Sequence, residues 1–265
     1  MKEIRDKELR SIQLDILKDV HVFCVSHHIR YSMAYGTLLG AVRHQGYIPW
    51  DDDIDVMMPR EDYNRFIQTY KNNCFRVVDM SVDAGYILPH AKVEDTRTVM
   101  EEFSEGESVY GVYIDVFPLD GIPDDLLERK AFYRRKSLWN ELYNLKIVKV
   151  RKGRSFVKNM VLAISHILLS FISARSIAQH MSSMATKYQG QKTAYMGIVA
   201  PADSRIEEAI PSRYFDEYVS LTFEHLNAMG IKAYNEYLTA SYGDYMQLPP
   251  VELRVSHHIY TAYWK

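Results

Sequence analysis

The sequence predicts an α/β (α+β) fold, a mixed sheet flanked by helices and interrupted by a helical, basic and apolar insertion. Three observations carry this. Short apolar runs bounded by Gly, Pro or Asp mix irregularly with helix-length segments in the first 125 residues, which suits a mixed sheet better than a regular βαβ repeat. A chain of 265 residues with 47% hydrophobic content can bury one good core. Residues 142–202 hold no Asp or Glu, which sets that stretch apart. Residues 1–265 therefore read as one domain, with residues 126–202 as a helical, acid-poor insertion or subdomain within it.

The elements follow in order. Ile4, Leu9, Ile12, Ile16, Val20 and Phe23 recur mostly at three- and four-residue intervals among charged residues, which predicts an amphipathic helix over 3–26 whose role is packing. Residues 30–35 read as a strand ended by Gly36, and 37–43 (TLLGAVR) as a short helix closed by Gln45-Gly46. A strand over 54–58 stops at Pro59, and 60–70 reads as a surface helix. Further strands are expected at 75–79, 86–93, 98–103 and 111–117. Residues 118–125 read as a turn ahead of a helix over 126–145. Residues 213–237 carry Tyr, Glu and Leu at helical spacing, and the last thirty residues turn irregular around Gly243, Pro249 and Pro250.

Composition narrows the function classes. The first thirty residues are studded with Asp, Glu, Lys and Arg, so no export leader is expected and the location is read as cytoplasmic. Cys24 and Cys74 belong to no C-x-x-C pair or zinc pattern and read as reduced structural thiols. The net charge of -2 hides an asymmetry: the acid-free stretch carries nine Lys and Arg, so the rest of the chain holds the acidic excess. The two parts face different partners, and nucleic acid is not among those expected.

The most informative run is GTLLGAVRHQGYIPWDDDIDVMMP, from Gly36 to Pro59. On a strand, side chains alternate, so Asp53 and Asp55 share a face with Cα atoms about 6.6 Å apart. Two carboxylates held that way suit an oxygen-loving divalent ion that also takes phosphate oxygens, with Mg2+ the natural ion and Mn2+ the alternative. An aspartate-rich turn is often only a solvated cap. Here Asp53 and Asp55 interleave with Ile54, Val56 and Met57, and charges on so apolar a strand are costly without a cation. A calcium loop counted from Asp51 fails, since Val56 stands where Gly is needed and Asp62 where Glu is needed. A third acid, Asp115, lies inside the apolar run VYIDVF, on one face with Tyr113 and Phe117. A lone Asp bonded to backbone amides is one reading of it; a third carboxylate joining Asp53 and Asp55, as metal ligand or general base, is the other.

A glycine turn, a helical turn, a strand with two spaced acids and a third acid on a later strand resemble the nucleotidyltransferase superfamily. GTLLGAVRHQGYIPWDDDID, FPLDG at Phe117 to Gly121, and YGDYMQLPP with Arg254, His257 and His258 resemble, more narrowly, the LicD family. The resemblance touches the first 125 residues and the last 30. It implies a nucleotidyltransferase-like catalytic domain and a phosphotransferase that moves phosphocholine from a CDP-choline-type donor to a cell-surface glycan, or a fukutin-like relative that moves alditol phosphates. Carried over by residue, Gly36 and Thr37 match the phosphate-contacting turn, Asp53 and Asp55 the metal pair, and Asp115 the third acid.

Arg43 and His44 end the motif helix and Lys92 lies in PHAKVED; Arg43 and Lys92 read as clamps on the donor diphosphate, against the alternative of ordinary surface charges. Trp50 stacks on a base, faces a quaternary ammonium, or fills core. A metal-dependent glycosyltransferase is disfavoured because only about fifty residues, too few for a nucleotide-binding βαβ unit, precede Asp53. Moving the nucleotide half instead remains the serious alternative, since it shares every carboxylate. Finally, the apolar run 161–172 (VLAISHILLSFI) is too short to span a bilayer. Its length fits a core helix. Six basic residues from Lys146 to Lys158 precede it, and together they suit an interfacial anchor over 146–172 that holds the protein on the inner face of a membrane, near a lipid-linked glycan acceptor.

Overall fold

A computed structural model of the chain describes residues 1–102, 110–150, 155–200, 209–255 and 260–265. The expected helix at the start begins three residues late, because Lys2–Ile4 is drawn into a strand, β1, before α1 (Asp6–Ser26). Leu9, Ile12, Ile16, Leu17, Val20 and Cys24 form the buried stripe of α1. The next strand, β2 (Ser32–Met33), is shorter than expected, since Tyr35 takes the left-handed φ of 42° and opens α2 (Tyr35–His44). There follow β3 (Asp55–Pro59), α3 (Arg60–Thr69), β4 (Phe75–Val78), β5 (Ala91–Asp95), β6 (Thr98–Glu102) and β7 (Tyr113–Ile122). The strand expected from residue 86 starts only at Ala91, after Pro89, which has no N–H for a ladder.

β7 runs on as far as Ile122, through the first part of the turn expected at 118–125. Its antiparallel neighbour β5 ends opposite Val116, and its next partner begins opposite Asp120, so Pro118 sits between the two without breaking either ladder. The chain continues with α4 (Leu126–Ile147), α5 (Phe156–Leu168), α6 (Ala174–Ala185), β8 (Tyr195–Gly197), β9 (Ile210–Pro211), β10 (Tyr218–Phe223), β11 (Leu226–Ile231), α7 (Tyr234–Tyr242) and β12 (Tyr260–Trp264). The helical spacing over 213–237 misleads. β10 and β11 form an antiparallel hairpin there, turned at Glu224 with its φ of 55°, between a short 3-10 turn at Ser212–Phe215 and α7. Phe223, Ala228 and Ile231 are buried from this hairpin, which shows that core burial, not spacing along a helix, sets their positions.

The fold is mixed α/β, as expected. The largest sheet has the order β2-β3-β7-β5-β4, with β8 and β9 continuing from β7, and a second sheet has the order β1-β12-β6. Within the first, β3 and β7 are parallel while β2, β5 and β4 are antiparallel to their neighbours. α1 and α2 pack on this sheet with Leu38, Met57, Val116 and Phe66 in one hydrophobic core. A second core joins Phe132, Tyr143, Ile177 and Met181 from α4 and α6 to Ile122 and Val199. Three helices fill most of residues 126–202, and β8 lies at the far end of that segment. α5 departs from the core-helix reading, because Leu162 alone among its residues is buried. Among the described residues, no helix is long and apolar enough to cross a membrane. Cys24, buried, and Cys74 are both free thiols.

Candidate active site

The parallel pairing of β3 with β7 sets Asp55 directly beside Asp115, and the antiparallel pairing of β7 with β5 sets Lys92 on the other side of Asp115. Three neighbouring strands thus carry an Asp-Asp-Lys row across one face of the sheet, since cross-strand partners point the same way. The sequence shows each residue on its own; the register brings them together. Asp53 differs from expectation, for it lies in the irregular approach to β3 rather than on the strand.

Asp55 is held by its backbone. Its N–H donates to the Thr37 hydroxyl at 2.8 Å, its carbonyl accepts from the Ala34 N–H at 2.9 Å, and the Asp115 N–H donates to the Ile54 carbonyl at 2.9 Å. Thr37 is itself buried, so its hydroxyl serves to fix Asp55. Burial pushes the Asp55 carboxyl well above the usual carboxylate range, and the charges of Asp53, Asp115 and Asp51 push further, with Lys92 opposing. Ionising this acid without a cation is therefore unfavourable.

Asp115 has the opposite balance. Burial works to raise its carboxyl, but Lys92 and His90 outweigh burial and hold it well below the usual range. Lys92 Nζ and His90 Nε2 both lie 2.9 Å from Asp115 Oδ1. The Lys92 ammonium also stands 3.3 Å from the centre of the Tyr113 ring, and only 5% of the residue is exposed. This excludes the surface-charge alternative for Lys92, whose observed partner is Asp115. Burial lowers the His90 pKa, with Asp115 a partial offset, so the ring is neutral. An ionised carboxylate only accepts, which places the His90 proton on Nε2 and leaves Nδ1 as an acceptor with no partner among the described residues. His90 was missed at the sequence level. The signal was there: in PHAKVED it stands two residues before Lys92, the spacing that puts both on one side of an extended chain.

The acids ahead of β3 are anchored by α1, which does more than pack. Arg10 Nη2 donates to the Asp51 carbonyl at 2.7 Å and Gln13 Nε2 to the Asp52 carbonyl at 3.0 Å. Asp51, Asp52 and Asp53 each present a carboxylate oxygen within 4.8 Å of the others. A Cβ on Gly36 would stand 2.4 Å from Asp51 Oδ2, so glycine at the start of α2 makes room for that carboxylate. Asp51 and Asp52 thus join the expected acids. Oxygen donors of this kind fit a divalent cation; among the described residues the carboxylates gathered within reach of one ion are Asp51, Asp52 and Asp53, while Asp55 and Asp115 lie outside that group, and the buried Asp55 carboxyl is crowded by like charge that a nearby cation would relieve.

Arg43 and His44 occupy the last turn of α2, as expected. Arg43 Nε donates to His44 Nε2 at 3.0 Å and Nη1 to the Tyr245 carbonyl at 2.6 Å. Burial lowers the Arg43 pKa and the neighbouring Arg254 charge lowers it further. The Arg254 guanidinium in turn lies 5.4 Å from the half-buried Trp50 ring, which meets His44 edge-on at 6.3 Å. The first and last motifs therefore meet in one basic, aromatic cluster. His257 and His258 lie outside the described residues. From FPLDG, Asp120 takes a structural position, forming a buried two-bond pair with Arg60 at 2.7 and 2.6 Å.

Comparison with known proteins agrees with the shared wording of these motifs. Residues 28–162 match the family model described as LicD/FKTN/FKRP, nucleotidyltransferase domain. The lipopolysaccharide cholinephosphotransferase LicD of Haemophilus influenzae is 32% identical, covering 99% of each chain. An uncharacterized protein of Rickettsia typhi is 31% identical over 55% of this chain and 42% of its own length. The matched residues hold β3, β5 and β7 with their acids and Lys92, and the identity to the Haemophilus protein runs from end to end: the chain belongs to the LicD family.

Proposed function

We propose that this protein transfers phosphocholine from a CDP-choline-type donor to a sugar hydroxyl of a cell-surface glycan, of the lipopolysaccharide or teichoic acid type. Family membership and the name of the Haemophilus relative support the group transferred. The observation that carries the chemistry is the buried Asp55 beside Asp115 across parallel strands, with three more acids just ahead in the chain.

Asp53 and Asp55 would hold Mg2+, or Mn2+ in its place, with Asp115 as a third ligand. When bound, such an ion neutralises charge on the donor's phosphate oxygens. The chain supplies the rest. Gly36 and Thr37 at the start of α2 offer backbone amides to a phosphate, and Arg43, on the last turn of that helix, orients the diphosphate. The acceptor oxygen forms its bond to the choline-bearing phosphorus in line, while the bond from that phosphorus to the bridging oxygen breaks and CMP leaves. The hydroxyl proton passes to Asp51 or Asp52, the half-buried acids beside Asp53. Asp115 acts as a ligand rather than the base, because Lys92 and His90 hold its carboxyl too low to take a proton readily.

The test is product analysis with purified protein, Mg2+, CDP-choline and a lipopolysaccharide or teichoic acid acceptor. Release of CMP with choline incorporated into the glycan, abolished by a chelator, is the expected result. Pyrophosphate released from CTP in its place would show nucleotidyl transfer, and preference for a CDP-alditol would show a different carried group; either overturns the proposal.

A further inference from the structure

α5 is turned inside out. Its spacing places Phe156, Val157, Met160, Ile164, Ile167 and, one turn beyond the helix, Phe171 within one side of a helical wheel. That side faces outward, with Phe156 and Phe171 each 80% exposed and Ile167 73%. The polar Asn159, Ser165 and His166 lie on the inward side with Leu162, against α4. A surface helix ordinarily shows the reverse, and a contiguous apolar face of this kind marks a contact with something else.

Charge identifies the occupant. The helix lies within the 61 residues from Leu142 to Ala202 that contain no acid, and exposed Lys149 and Lys158 lie near its start. Lys146, on the last turn of α4, donates to the Leu169 carbonyl at 2.9 Å and fastens the end of α5 to α4. A second protein surface rich in Lys would be repelled here, whereas an anionic lipid leaflet attracts the basic residues and takes up the apolar ones. The helix of 13 residues is about 20 Å long, short of the ~30 Å needed to cross the hydrocarbon layer. Spanning is thereby excluded for α5.

We propose that the outward face of α5, with the flanking lysines, is a peripheral docking surface for an anionic membrane, on which the helix lies in the plane of the headgroups. Phe156 and Phe171, at the two ends of the stripe, enter the acyl boundary, and Lys149 and Lys158 engage lipid phosphates.

Vesicle sedimentation with the full chain tests this independently of turnover. The wild type is expected to bind phosphatidylglycerol-containing vesicles, to ignore phosphatidylcholine alone, and to be released by high salt. The triple variant Ile164→Gln, Ile167→Gln, Phe171→Ser, and separately Lys149→Glu with Lys158→Glu, are expected to weaken binding by about tenfold or more. All changed residues are exposed, so thermal stability is expected to hold. Equal binding to both vesicle types, binding to neither, or a concentration-dependent dimer in sedimentation equilibrium that the triple variant abolishes would each overturn the proposal, the last by showing that the face pairs with a second copy.

Discussion

Lys92 Nζ and His90 Nε2 converge on one oxygen of Asp115 at 2.9 Å, while Asp55, one strand away, has no such cation of its own among the described residues and is crowded by acids. Two carboxylates in register thus have opposite electrostatics. One is neutralised by the protein, and the other is crowded by like charge.

Asp55→Asn and Asp53→Asn are expected to lower turnover by at least about a hundredfold. The fold is expected to survive, because Asn keeps the shape and removes repulsion. For metal-free protein the sign follows from the raised Asp55 pKa: its contribution to stability is fully present below the ordinary carboxylate pKa and is lost as pH rises through the folded value. Thermal melts across that range, with and without Mg2+, are expected to show this loss in wild type, its relief by Mg2+, and its absence in Asp55→Asn. Wild-type activity in both variants would remove the metal-site assignment.

Lys92→Met is expected to destabilise the protein by about 3–5 kcal/mol, the size usual when a buried charge loses its partner. Adding Asp115→Asn is expected to restore most of that loss, since no charge is then stranded. Asp115, held low, contributes stability that is present above the ordinary carboxylate pKa and is lost as pH falls through its folded value. Acid unfolding of wild type against the double variant checks the sign. Asp115→Asn alone is expected to cost at least about a hundredfold in rate, as a lost ligand would.

Gly36→Ala separates placement from stability. The new methyl meets Asp51 Oδ2 at 2.4 Å, and that side chain can swing away at little cost to the fold. Activity and the apparent affinity for Mg2+ are expected to fall while the melting temperature changes little. A large drop in melting temperature with normal Mg2+ dependence would show that Gly36 serves packing.

Asp120→Asn is expected to cost about 3–5 kcal/mol by leaving the Arg60 guanidinium buried without its carboxylate. The kcat of the remaining folded protein is expected to match wild type, because Arg60 and Asp120 bond each other. Denaturant unfolding and active-site-normalised turnover distinguish this from a catalytic loss.

The sequence disclosed the acids because each breaks an apolar strand pattern, and a charge among Ile, Val and Met has to be explained by something nearby. It disclosed α2 and α3 because Gly36, Gln45-Gly46 and Pro59 punctuate them. What stayed hidden depends on pairing. That Asp55 stands beside Asp115 and Asp115 beside Lys92 follows from strand register, which no single strand contains. The hairpin of β10 and β11 was hidden because its Tyr and Leu spacing imitates a helix, and the turn at Glu224 needs a left-handed residue that a glutamate does not advertise. The outward face of α5 was half visible, since length argued for the core while the neighbouring lysines argued against it.

β12 lies between β1 and β6, so the strand nearest the carboxyl terminus is the middle of its sheet. While the chain is being made, β1 and β6 leave the ribosome with open edges and wait for a partner more than 150 residues downstream. Closing contacts over such separations is slow, and the intermediate carries exposed strand edges of the kind that pair between molecules. Nascent chains stalled before residue 260 are therefore the form of this protein most in need of a chaperone.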